Sequence, residues 1–103
     1  MIHDFQYIGF APNEFIKAEA SGLLSHLKSL SPNITDISAR LEYLGTNYVC
    51  ILDVTLKRGS FYSVVNDLDA IQALRKAEKS MLSKLSRQKE TGFYSRNNLD
   101  ELG

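Results

Sequence analysis

ISARLEYLGTNYVCILDVTLKRGSFYSVV, residues 37–65, alternates apolar and polar side chains with a period of two through three consecutive runs. Ile37, Ala39, Leu41 and Tyr43 are separated by Ser38, Arg40 and Glu42, the pattern of a strand with one buried face. After a turn at Gly45-Thr46-Asn47, Cys50, Leu52, Val54 and Leu56 alternate with Val49, Ile51, Asp53, Thr55 and Lys57, which puts the even-numbered side chains in the core. Lys57-Arg58-Gly59-Ser60 is a turn candidate with Gly59 available for a positive φ, and Phe61, Ser63 and Val65 continue as a further strand. The connections are too short for crossovers, so these three strands are expected to be antiparallel neighbours.

Upstream, Phe5 to Phe10 is aromatic and β-branched and reads as a short first strand, broken by Ala11-Pro12-Asn13. Asn13 suits an N-cap, and Phe15, Ile16, Ala20, Leu23, Leu24, Leu27 and Leu30 follow at helical spacing up to Ser31-Pro32-Asn33. Gly22, inside that helix, costs about 1 kcal/mol relative to Ala, which suggests close approach to another element. Downstream, Asp67 and Asp69 suit the positive end of a last helix, and Asp69 to Gln72 has the spacing of a capping box. Ile71, Leu74, Ala77, Met81, Leu82 and Leu85 form its apolar stripe, with Glu78 expected at the edge of the interface. Gly92 is the expected stop.

The order is therefore β-α-β-β-β-α. Two helices and four strands, each with one apolar face, make an α+β two-layer sandwich with both helices on the same side of the sheet. Residues 1–91 are expected to form the domain and 92–103 a flexible C-terminal tail. The other sheet face is left open; Val49, Ile51, Tyr62 and Val64 lie on it, an apolar patch suited to weak homodimer formation.

At 103 residues, 44% hydrophobic and 23% charged, the chain has the composition of one soluble domain. No stretch approaches the roughly 20 apolar residues of a membrane span, and residues 1–11 lack a basic segment followed by an apolar run, so a cytoplasmic location without membrane contact is the expectation. The single cysteine, Cys50, has no internal disulfide partner and accords with a reducing compartment. His3 and His26 are isolated, so neither a metal nor another cofactor is expected. There is no Gly-rich phosphate loop and no nucleophile turn, and an enzyme is not expected.

Charge is distributed in blocks. From 57 to 91 there are eight Lys/Arg against four Asp/Glu, whereas 1 to 56 has three against six, so a net charge of zero hides a basic last helix. Lys76, Lys79 and Arg87 project opposite its apolar stripe, Arg75 and Lys84 flank them, and Lys89 lies near the end. Lys57 and Arg58, at the hairpin tip, are expected close to the start of that helix and would extend the patch. A one-sided set of cations is what a polyanion feels, through counterion release and phosphate contact. Tyr43, Tyr48 and Tyr62 are read as ordinary strand residues rather than base-stacking platforms.

The order of elements, together with Val54-Thr55-Leu56, the Gly59 turn, Phe61 and Asp69 followed by Ile71, Ala73, Leu74, Ala77, Met81 and Leu85, resembles the ribosome hibernation promoting factors and ribosome-associated inhibitor A proteins over residues 4 to 90. The resemblance implies binding of the small ribosomal subunit and its rRNA in the decoding channel, blocking initiation in stationary phase or stress, with basic helix residues facing RNA. Ser80 and Ser83 stand where many members carry Arg or Lys, and Glu78 where an aliphatic residue is common. The chain resembles the short form, without the C-terminal dimerisation domain of the long factors. The alternative is a non-enzymatic interaction module that uses the open sheet face.

Overall fold

The computed structural model describes the backbone of residues 4–94 and the side chains of residues 4–87. Along the chain run β1 (Gln6–Ile8), α1 (Glu14–Leu30), β2 (Ile34–Tyr43), β3 (Tyr48–Leu56), β4 (Gly59–Asp67) and α2 (Ala70–Tyr94). The strands form one sheet in the order β1-β2-β3-β4. β2–β3 and β3–β4 are antiparallel, as the short connections require, with Leu41 opposite Cys50 and Val54 opposite Phe61. β1 lies parallel to β2, a pairing that needs a crossover, and α1 supplies it.

Odd residues of β2 and β4 and even residues of β3 face the helices. Ile37, Ala39, Leu41, Cys50, Leu52 and Val54 are buried there against Ile16, Ala20, Leu23 and Leu27 of α1 and Ala73, Leu74, Ala77 and Met81 of α2. Burying each large aliphatic side chain contributes on the order of 1.5–3 kcal/mol, which is why the period-two pattern decides the layer arrangement. Ser63 is the buried polar residue of β4, and its hydroxyl donates to Ser80 Oγ at 3.0 Å.

Both helix starts are capped. Asn13 Oδ1 accepts from the amide of Ile16, and Asp69 Oδ2 from the amide of Gln72, each at 2.9 Å. The capping box is only half formed, because the Asp69 amide donates to Asp67 Oδ1. Glu78 lies at the edge of the α1–α2 interface as expected, 2.7 Å from His26 Nδ1.

Four expectations are corrected. Phe15 is 81% exposed: Ile16, Ala20, Leu23 and Leu27 occupy the core side, and Phe15 is about 100° round the helix from Ile16. Gly22 is not a close-approach residue, since a Cβ there would meet nothing within 4 Å. α2 continues past Gly92 to Tyr94, an interior glycine weakening a helix without ending it; the rest of the expected tail, 95–103, lies outside the described residues. The fourth concerns the hairpin tip.

Candidate nucleic-acid interface

α2 runs antiparallel to β4, and the Ser63–Ser80 contact fixes their relative height. From Ser63 to the Lys57-Arg58 turn is about 13–17 Å of strand at ~3.3 Å per residue, which corresponds to nine to eleven helical residues at ~1.5 Å each. The turn is therefore level with the region around residue 89 of α2. It lies at the far end from the start of that helix, contrary to expectation, because β4 must travel its whole length before α2 begins.

This places the eight expected RNA contacts in two groups. At the upper end, Arg75 Nε is 3.2 Å from Glu19 Oε2 on α1, and Lys76 Nζ is 2.5 Å from Asp67 Oδ2 at the end of β4. Both cations are locally compensated, and both pairs tie α2 to its neighbours. Hydrogen bonds from Lys76 and from the amides of Asp69 and Leu68 hold the Asp67 carboxyl below the usual carboxylate range. Lys79 sits on the outward face of α2, exposed and without an ion pair among the described residues.

At the lower end, Lys57 and Arg58 are exposed in a two-residue turn between the Leu56–Gly59 pair. The Lys57 amide donates to the Asn33 carbonyl at 3.1 Å, anchoring the turn to the α1–β2 loop. Arg87 is exposed on the same end of α2, and the Lys89 side chain lies outside the described residues. Lys84 is half-buried; its ammonium donates to the main-chain carbonyl of Tyr62 in the edge strand β4, so it also shields that edge.

A further cation belongs to this group. Lys28 lies exposed in the last turn of α1, whose end leads directly to Ile34, the partner of Leu56. A lysine before a Ser-Pro break is visible in the sequence; its proximity to the Lys57-Arg58 turn follows only from the parallel β1–β2 pairing. The open sheet face is mixed rather than apolar. Tyr62 and Val64 are 55% and 49% exposed there, but Arg40, Glu42 and Asp53 interleave with them, and Arg40 Nε is buried without a hydrogen-bond partner.

Among the described residues no group of three or more His, Cys, Asp or Glu is placed to hold a metal, and no helix is long and apolar enough to cross a membrane. Burial pushes the Cys50 thiol up to about 12, which makes it a core side chain rather than a nucleophile. The arrangement presents cations from three elements at one end and along one helix, a geometry for phosphate contact.

No protein-family profile matches the chain, and no curated protein matches it by sequence. Solved structures do. A ribosomal subunit interface protein from Coxiella burnetii superposes with a TM-score of 0.73 at 13% identity, over 87% of this chain and 99% of that one. The N-terminal domain of Protein Y from Thermus thermophilus gives 0.70 at 16% identity, over 84% and 98%. The chain has the fold of these proteins, the architecture implied by the sequence resemblance.

Proposed function

We propose that this chain is a non-enzymatic, ribosome-binding translation inhibitor of the hibernation-factor kind, acting in the cytoplasm. It occupies the decoding channel of the small subunit and meets ribosomal RNA through Lys57, Arg58, Lys79, Lys84, Arg87 and Lys89. Arg75 and Lys76, already paired with carboxylates, contribute less. The observation that carries this reading is the near-complete structural match to a protein described as a ribosomal subunit interface protein. The exposed cations of α2 and of the β3–β4 turn support it, since shape and phosphate contact suffice for structured RNA.

The test is co-sedimentation with purified small subunits across a salt series. Wild type pellets with subunits at low salt and is released as salt rises. The triple variant Lys57→Glu/Arg58→Glu/Lys79→Glu, which removes no ion pair and no edge contact, stays in the supernatant while keeping its circular-dichroism melting curve. Unimpaired pelleting of the triple variant moves the contact elsewhere; a wild type that never pellets ends the ribosome reading. The exposed Tyr62 and Val64 favour a second reading, a weak homodimer through the open sheet face, which sedimentation equilibrium of Val64→Lys against wild type decides.

A further inference from the structure

The end of the molecule opposite the basic turn carries a different surface. The rings of Phe10 and Tyr48 meet edge to face at 5.2 Å, and Tyr48 packs on Tyr43 at 4.8 Å. Leu44, beside Tyr43, is 55% exposed in the β2–β3 turn. Tyr48 pairs across the sheet with Asp67, and the next residue, Leu68, is 79% exposed. One turn further, Ile71 and the exposed Phe15 line an open groove of about 410 Å³ between the starts of α2 and α1. Single exposed leucines need no explanation, but Phe15, Leu44 and Leu68 share one end of the molecule, where the half-buried Phe10, Tyr43 and Tyr48 rings also lie, the kind of patch that marks an interaction site.

The charges around it select the partner. Arg75 and Lys76 are engaged by Glu19 and Asp67. That leaves Asp69 at the start of α2 and Glu42 on the open-face side of this end, with Glu14 3.9 Å from Lys17. Glu14 and Asp69 also offset the positive poles of the two helix starts. A nucleic acid or an anionic bilayer is repelled by these acids, and a second copy would set like acids against each other.

We infer that this end docks a basic polypeptide segment bearing apolar anchors. Phe15, Leu44 and Leu68 receive the anchors, and Glu14, Glu42 and Asp69 receive the lysines or arginines. The surface is separate from the basic end, so the inference goes beyond the RNA reading and stands without it.

The experiment is an amide chemical-shift titration of the ¹⁵N-labelled full chain with an amphipathic lysine–leucine peptide, and with lysine–serine and glutamate–leucine peptides of equal length. The lysine–leucine peptide shifts Glu14, Phe15, Leu44, Leu68 and Asp69, and the other two bind far more weakly. Phe15→Ser/Leu68→Ser lowers the affinity at least about tenfold. Glu14→Lys/Glu42→Lys does the same, and decides between the outcomes should the first variant disturb the fold. The inference is overturned by absence of binding, by saturable shifts elsewhere, or by equal binding of the glutamate–leucine peptide. It is also overturned by concentration-dependent shifts at these residues without peptide, which would assign the surface to a second copy. No ribosome enters the measurement, so its failure and that of the ribosome reading are distinguishable.

Discussion

Gly9 and Gly22 are both single glycines followed by a large apolar residue, and their surroundings in the fold separate them. Gly9 has φ +85°, and a Cβ there would lie 2.6 Å from the Tyr43 carbonyl oxygen, part of the parallel strand's backbone. Gly9→Ala is expected to destabilise the fold by roughly 1–3 kcal/mol through strain and clash. Gly22→Ala, in open space on α1, is expected to stabilise it by up to about 1 kcal/mol. Urea denaturation of both variants checks the opposite signs. The sequence shows that a helical glycine is costly, but not whether anything approaches it. Phe15 illustrates the same limit: its apolarity fits the helical stripe, yet four better-placed side chains take the core and leave it on the surface.

At the scale of elements, period-two alternation made β2, β3 and β4 legible along with their buried faces, because a one-residue slip would expose the whole apolar set. α2 was legible from its stripe and from Asp69. Less legible were the partners of its cations. That Lys76 belongs to Asp67 and Lys84 to the edge of β4 depends on how the helix returns along the strand. The Asp67 network has a pH signature. Because its carboxyl is held below the ordinary range, the stabilisation is complete above the unfolded value of about 3.9 and is lost as pH falls through the lower native value. Asp67→Asn is therefore expected to be less stable than wild type at pH 7, with the difference shrinking below about pH 4. Thermal melts from pH 7 to 2.5 measure this, and a difference that persists undiminished in acid rules out the carboxylate as its source.

For the whole molecule, charge blocks visible in the sequence became a polarity in space only through topology. The parallel β1–β2 pair brings the end of α1, with Lys28, beside the Lys57-Arg58 turn, and the length of β4 carries that turn away from the start of α2. The candidate interface is thus composite, and an isolated peptide of residues 70–90 is expected to bind ribosomal RNA with a shallower salt dependence than the full chain. Each phosphate neutralised adds about 0.7–0.9 to the log–log slope, so the Lys57 and Arg58 contacts should appear as a difference of one to two. Equal slopes would confine the contact to α2.

The outer strands of the sheet bear on how much of this protein a cell can hold. β1 offers three residues to an incoming strand, and β4 has the Lys84 ammonium on its Tyr62 carbonyl. The first gives an incoming strand only a short template, and the second places a charged side chain against pairing at the middle of β4. On the proposed reading the protein works by occupying its target and accumulates at least copy for copy with it, a crowding for which a short outer strand and a lysine at the opposite margin are suited.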